Sequence, residues 1–237
     1  MKFSLNIDHV AILRNARGEV QPDPVTYALI AEQYGVDGIV VHLREDRRHI
    51  NERDLRLLRE LITTKLDLEM AAVDEIIEIA CDVKPELATI VPEKRLELTT
   101  EGGISVIDNL EVLKNTVDRL HEADINVSFF IEPDIIQIDA SADIGADFIE
   151  IHTGVYANAK NEEDIFDELE RIRQAAKHAK KLGMGVNAGH GLNYLNLKEF
   201  IEIKDIDEVS IGQAVIARSI FVGVEQAIKE ILKITSA

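Results

Sequence analysis

The sequence predicts an α/β fold, a closed (β/α)8 TIM barrel with extra helices, formed as one barrel domain over residues 1–237. Three observations lead there. Short apolar runs alternate with longer amphipathic ones, giving eight strand–helix units. The 237 residues suffice for one large core. No low-complexity linker marks a second domain, and proline is sparse. A doubly wound open sheet is the competing fold, but it rarely needs eight regular repeats.

Taken in order, strands are expected at Phe3–Asp8, Gly38–Leu43, Leu66–Ala71, Leu87–Pro92, Asn126–Glu132, Phe148–Gly154, Gly185–Gly191 and Asp207–Gln213. Helices are expected at Pro24–Tyr34, Glu52–Thr64, Val73–Val83, Asn109–Ala123, Asp134–Ile144, Glu163–Leu182, Leu195–Ile203 and Ala214–Ile234. Gly38-Ile39-Val40-Val41 is a β-branched run that reads as a buried strand. In the third strand Glu69 stands opposite Leu68 and Met70, on the face that points into a barrel whose outer face is apolar. In the sixth, Glu150 and His152 alternate with Ile149 and Ile151 and so share the inner face. In the helix Glu163–Leu182, Ile165, Leu169, Ile172, Ala176 and Ala179 fall on one face. Its acidic start and its end at Lys177, His178, Lys180 and Lys181 suit the helix dipole, and Gly183 stops it. This segment is scaffold, with His178 a dipole partner.

The 44 Asp and Glu against 26 Lys and Arg give a formal net charge of -18, which argues against nucleic acid as a partner. An anionic substrate then needs a locally basic site. His42-Leu43-Arg44-Glu45-Asp46-Arg47-Arg48-His49 supplies one, with guanidinium forks for phosphate and imidazoles for proton transfer. The single cysteine, Cys81, cannot form an internal disulfide, which fits a reducing cytoplasm. The N-terminus runs straight into the first strand with no signal-peptide apolar region, and no apolar run approaches the ~20 residues of a membrane helix.

A barrel carries its function at the C-terminal ends of its strands. Those ends read Asn6-Ile7-Asp8-His9, His42-Leu43-Arg44, Glu69, Pro92-Glu93-Lys94-Arg95, Glu132, Glu150-Ile151-His152, Asn187-Ala188-Gly189-His190-Gly191 and Ile211-Gly212-Gln213. Five of the seven histidines lie on this list or just after it, which surface placement at random would not give. Burial would raise the pKa of Glu69 and make it a usable general base near neutrality. Glu150 and His152 read equally as a proton relay or as a structural hydrogen-bonded couple. The glycines around His190, and Gly212 before a helix start, suit close approach of a phosphate to backbone N–H groups. Residues 11–19, with Arg14 and Arg17, read as a long loop, and 91–107 as another; such loops on the active face serve as lids or binding loops. Two arginine-bearing regions imply two phosphorylated ligands or one bisphosphate.

Asn6-Ile7-Asp8-His9-Val10-Ala11, Leu13–Gly18, Pro22-Asp23-Pro24, His42–Ile50, Val91–Arg95, Thr99–Gly103, Phe148–Gly154 and Asn187–Leu192 together resemble the pyridoxine 5′-phosphate synthase family over essentially the whole chain. The resemblance implies a homo-octameric, cytoplasmic barrel with added helices, acting without a metal or other cofactor. It implies condensation of 1-deoxy-D-xylulose 5-phosphate with 3-amino-2-oxopropyl phosphate to pyridoxine 5′-phosphate, phosphate and water. It assigns His42 and Glu69 as proton acceptors and His190 as proton donor. Contacts to the xylulose phosphate fall on Asp8, His9, Arg44, His49 and Thr99. Contacts to the aminoketone phosphate fall on Asn6, Arg17, Gly191, Gly212 and Gln213. The last departs from the family's histidine, which leaves that position a backbone role.

Two other readings use the same residues. A metal-dependent barrel hydrolase would take His42, Glu69, His152 and His190 as ligands, although the first strand ends in Asp8-His9 rather than a His-x-His pair. A non-catalytic binder of phosphorylated sugars would keep the arginines and glycines but has no need of Glu69.

Overall fold

The computed structural model describes residues 1–93 and 102–236. Eight parallel strands pair in sequence order and close, β1 on β8. They are β1 (Lys2–Asn6), β2 (Gly38–His42), β3 (Lys65–Met70), β4 (Leu87–Ile90), β5 (Asn126–Ile131), β6 (Phe148–His152), β7 (Gly185–Gly189) and β8 (Glu208–Ile211). The helices among the described residues are α1 (Asp8–Asn15), α2 (Pro24–Gln33), α3 (Glu52–Leu61), α4 (Asp74–Val83), α5 (Leu110–Glu122), α6 (Ile135–Asp143), α7 (Gly154–Asn158), α8 (Glu162–Lys181), α9 (Leu197–Phe200), α10 (Gln213–Val222) and α11 (Val224–Thr235). The expected (β/α)8 barrel with extra helices is the fold observed.

Alternation along each strand sorts the side chains. Phe3, Leu5, Ile39, Val41, Leu66, Leu68, Ile149 and Ile151 pack outward in one apolar cluster with helix residues such as Ala28, Leu55, Ile76, Ile172 and Ile228. Each such buried aliphatic side chain is worth about 1.5–3 kcal/mol. The opposite parity is buried and polar, including Ser4, Asp67, Ser128, Glu150, Asn187 and Glu208. Lys65 Nζ reaches Glu208 Oε1 at 2.5 Å; β3 and β8 are not neighbours, so this bond crosses the barrel interior. The inner face is therefore a polar column that rises to the C-terminal rim.

Three segments differ from the sequence reading. Residues 11–15 are helix rather than loop, because α1 starts with only Ile7 between it and β1; the turn that carries Arg17 begins after Asn15. Its Arg14 turns inward, binds both oxygens of Asp54 at 2.8 Å and donates to the backbone carbonyl of His49 at 3.1 Å. Asp54 is itself part of the capping box that starts α3 at Asn51. Arg14 is thus a buried brace, not a phosphate ligand. The last helix is two helices, since Gly223 takes φ 83 and breaks the run into α10 and α11. The short α7 lies directly after β6, where the sequence reading extended the strand to Gly154.

The helix α8 follows its expectation. Asn161 caps it through a bond accepted from the Asp164 N–H, and Ile172, Ala175, Ala176 and Ala179 face inward. His178 Nε2 lies 2.6 Å from Asp139 on α6, so it ties two helices rather than reaching the site. No helix among the described residues is long and apolar enough to cross a membrane.

Candidate active site

The polar column opens at the rim into a cavity of about 370 Å³, walled by residues from β1, β2, β3, β5, β6 and β8 and by the turn that follows β7. Strand register builds it. The β2–β3 ladder sets His42 beside Glu69, and the β6–β7 ladder sets His152 beside Gly189. Inward parity then aims His42 and Glu69 into this cavity, whereas His152 borders a second one beside it.

One side of the cavity is tightly bonded. Asp8 opens α1 and takes two bonds with its carboxylate, from the backbone N–H of His42 at 2.9 Å and from Asn6 Nδ2 at 3.0 Å. His42 Nε2 lies 2.8 Å from Glu93 Oε1, and its Nδ1 lies 3.7 Å from Glu69 Oε2. The ring of His49 stands 5.6 Å from that of His42. Arg44 is buried and its Nε donates to Asp46 at 3.3 Å. Burial pushes the Glu69 carboxyl well above its ordinary range, and the nearby charges of Glu150, Asp8 and Asp67 add to the shift; the bond from Asn6 opposes it. Burial lowers His49 and His9, with Asp8 opposing in each case, so both rings are held toward the neutral form.

The other side is open and turns sharply. His190 takes φ 80, in the left-handed region a side chain rarely enters, and Gly191 follows at φ 83. Thr153 holds the turn: its hydroxyl lies 2.8 Å from the Gly189 carbonyl and 2.7 Å from that of His190. The His152 and His190 rings are 5.0 Å apart, and a second, more open cavity behind them is bordered by Asp164, Asp167 and Glu168 of α8. His152 Nδ1 lies 2.7 Å from Glu132 Oε1, which also accepts from the Gly103 N–H at 3.1 Å. Burial and the neighbouring His152 lower the pKa of His190.

Beneath both sides, Glu150 sits among Asp67, Lys65 and Glu208. Burial, with Asp67 next, raises it to about 8, against the pull of Lys65. Burial likewise raises Asp67 to about 6. Polar atoms left without hydrogen-bond partners are rare in folded proteins, yet His9 Nδ1, His49 Nδ1, Glu150 Oε2 and His152 Nε2 are all buried and unpartnered around these two cavities. Such atoms suit a ligand that brings its own donors and acceptors. Among the described residues, no group of three or more His, Cys, Asp and Glu is placed to hold a metal ion.

The sequence profile of "Pyridoxal phosphate biosynthesis protein PdxJ" matches residues 3–237. The chain belongs to this family. It is 56% identical to the pyridoxine 5′-phosphate synthase of Pelodictyon phaeoclathratiforme, over 99% of each chain. It is 53% identical to that of Geobacter sulfurreducens, over 98% of this chain and 97% of the relative. Among solved structures, the thiamine phosphate pyrophosphorylase of Pyrococcus furiosus superposes with a TM-score of 0.64 at 16% identity, covering 99% of this chain and 95% of that one, a likeness of fold alone.

Of the residues singled out from the PdxJ-family resemblance, the structure gathers Asn6, Asp8, His9, His42, Arg44, His49, Glu69, His190, Gly191, Gly212 and Gln213 on the main cavity, together with Glu150. Arg17 does not line it; it lies exposed beyond the end of α1. Thr99 lies outside the described residues, as do residues 94–101 of the loop in which it is expected to act. Glu150 and His152 do not form the hydrogen-bonded couple that was one reading, since His152 pairs with Glu132 and leaves its other nitrogen unpartnered. Two carboxylates at strand ends carry no role in the sequence reading, Glu93 and Glu132. Each lies just past a strand end and meets an inward histidine, and that position is the signal that marks them.

Proposed function

We propose that this chain is a pyridoxine 5′-phosphate synthase, condensing 1-deoxy-D-xylulose 5-phosphate with 3-amino-2-oxopropyl phosphate to form pyridoxine 5′-phosphate, inorganic phosphate and water. One observation supports the site assignment most: Glu69, His42 and His190, from β3, β2 and the end of β7, border a single cavity in which His9 Nδ1, His49 Nδ1 and Glu150 Oε2 are buried without a protein hydrogen-bond partner. Joining an amine to a ketone, expelling phosphate and closing an aromatic ring each move protons, so acid and base groups must stand on several sides of the substrates.

In this reading His42 and Glu69 accept protons and His190 donates one. Asp8, His9, Arg44, His49 and Thr99 hold the xylulose phosphate. Asn6, Arg17, Gly191, Gly212 and Gln213 hold the aminoketone phosphate, the last two at the N-terminus of α10, where backbone N–H groups and the helix dipole favour an anion. Arg17 belongs to this set only if the segment after α1 moves toward the cavity. Glu150 and His152 serve as relay groups behind the reacting atoms. A homo-octameric assembly in the cytoplasm completes the proposal.

The direct test is to mix the two substrates with the purified protein and follow pyridoxine 5′-phosphate by absorbance and mass, together with released phosphate. Product in stoichiometric balance with phosphate is the expected result. Xylulose phosphate bound but never consumed in the presence of the aminoketone would favour the binding-protein reading instead.

A further inference from the structure

The carboxylate nearest to the proposed base is not Glu69 but Glu93. It follows β4 by three positions and its side chain is almost fully enclosed, at 4% exposure. Its two oxygens have separate tasks. Oε1 lies 2.8 Å from His42 Nε2, and Oε2 accepts from the backbone N–H of Glu45 at 3.1 Å. Burial alone would push this carboxyl up, but the bond from His42, its charge, the Glu45 N–H and the charge of Arg44 bring it below its ordinary range. An ionised carboxylate only accepts hydrogen bonds, so His42 Nε2 is the donor and carries the hydrogen. In the neutral ring the other nitrogen is then the one with the lone pair, and it faces Glu69 Oε2 at 3.7 Å.

We propose that Glu93 is a positioning residue for the reaction: by accepting from His42 Nε2 and from the Glu45 N–H together, it fixes His42 as the tautomer whose Nδ1 takes the substrate's proton. This rests on the reading of His42 as a proton acceptor. When Nδ1 takes that proton, the ring becomes an imidazolium, and the Glu93 carboxylate balances the new charge. When Nδ1 returns it to a leaving oxygen, the ring is neutral again and the Nε2–H bond has not moved. The charged and titratable groups around the ring are Glu69 on β3, His49 and Arg44 after β2, and Asp8 at the head of α1, which holds the His42 backbone N–H. None of these reaches Nε2, so the tautomer is left to Glu93.

The test exploits the two-oxygen arrangement. In Glu93→Gln one oxygen remains for two N–H donors. If it stays on Glu45, the new NH₂ group faces His42 Nε2 and drives the hydrogen to Nδ1. Nitrogen NMR of the labelled enzyme without substrates reads the tautomer directly, and steady-state kinetics against pH reads its consequence. The expected result is an Nε2–H ring in the wild type, an Nδ1–H ring in Glu93→Gln, and kcat lower by about 100-fold with KM changed by less than about threefold, the scale of a misoriented acid/base group. Glu93→Asp keeps an acceptor-only group, so it should keep the Nε2–H tautomer and a higher kcat than Glu93→Gln; it carries the test if the amide variant fails to fold. An unchanged tautomer in Glu93→Gln overturns the proposal, as does a switched tautomer with undiminished kcat. His42→Ala separates the two assumptions. If it retains turnover, the reading of His42 has failed. If it loses turnover while the Glu93→Gln tautomer stays put, only the role of Glu93 has.

Discussion

The two sides of the cavity are built on opposite plans. On the β1–β3 side the bonds fix the frame, Asp8 to Asn6 and His42, His42 to Glu93, and the His49 carbonyl to both Arg14 and Asn15, while His9 Nδ1 and His49 Nδ1 stay without a hydrogen-bond partner. On the β6–β8 side the backbone bends through His190 and Gly191, and His152 Nε2 has no partner. The first plan fixes ring orientation at the cost of room. The second leaves room: Glu132 holds the His152 ring, but little fixes the His190 ring except packing against Phe130 and His152. Acid/base groups lose efficiency when misplaced by an ångström, whereas a phosphate or a forming ring needs volume and exposed N–H groups. In the proposed reading, proton abstraction and most xylulose-phosphate contacts fall on the bonded side, and the proton donor and the backbone donors for the aminoketone phosphate fall on the open one.

The strongest way to break that division is Glu69→Gln, which keeps shape and removes the base on the rigid side. Turnover should fall about 10²-fold or more with little change in KM, the usual size for a positioned base. The pH profile sharpens it. Because Glu69 is raised well above the ordinary carboxylate range, it is protonated at low pH and becomes a base only as the pH climbs through its shifted pKa. Wild-type kcat/KM should therefore rise as the pH climbs from the ordinary carboxylate range through the raised pKa, and that limb should be missing in Glu69→Gln. A wild-type profile flat from acid to neutral pH would move the base elsewhere.

A smaller effect probes the open side. A Cβ on Gly154 would stand 2.3 Å from His152 Nε2 and 3.1 Å from the His190 ring. Gly154→Ala should push both rings and lower kcat by about tenfold, less than Glu69→Gln because the chemistry of the groups is untouched. Crystallography of the variant checks whether the rings move. If they move and turnover holds, His190 is not the donor.

How much of this was readable in the chain follows from which interactions are local. Strands and most helices were, because period-two and period-3.6 patterns are written in consecutive residues. Glu69 and Glu150 were, because an acidic residue at the inward position of an apolar strand stands out. Arg14 was misread, because its partner Asp54 is 40 residues away and a buried arginine looks like any other in sequence. α1 was missed because it begins directly at the strand end, with no turn signal between. Glu93 and Glu132 stood in motifs, but their roles come from histidines 51 and 20 residues away. Gly212 was read as making space for phosphate. The structure shows a nearer reason, since a Cβ there would meet the Asn6 carbonyl at 2.9 Å.

The polar column beneath both sides gives a test on stability. The Glu150 carboxyl is raised to about 8 in the fold, from an ordinary 4.5. Between those values the folded state holds a proton that the unfolded chain has lost. The stabilisation that goes with this proton is complete below the unfolded value and is lost as the pH rises through the folded one. Glu150→Gln cannot lose a proton, so its melting temperature should gain on the wild type as the pH rises from 5 to about 9. Thermal melts across that range check the sign. The gap will not account for all of the wild-type pH dependence, since Asp67, raised to about 6, titrates in the same window.

The smallest expected effect is at Gln213, the exposed first residue of α10, and it asks how far the open side depends on side chains at all. The resemblance leads one to expect histidine where Gln213 stands, yet the backbone N–H at the head of the helix is the same for either residue. An anion held there is bound by backbone donors and the positive end of the dipole, worth about 0.3–1 kcal/mol at an exposed terminus. At pH 8 an exposed histidine is mostly neutral, so Gln213→His adds little charge and exchanges one polar tip for another. The apparent KM for the aminoketone phosphate should change by less than about twofold at pH 8. At pH 6 the imidazole is largely protonated and stands beside the same helix end, so the variant should then bind more tightly than the wild type. A large change at pH 8 would mean that the side chain, not the backbone, grips the phosphate, and the open side would need fixed polar groups of its own.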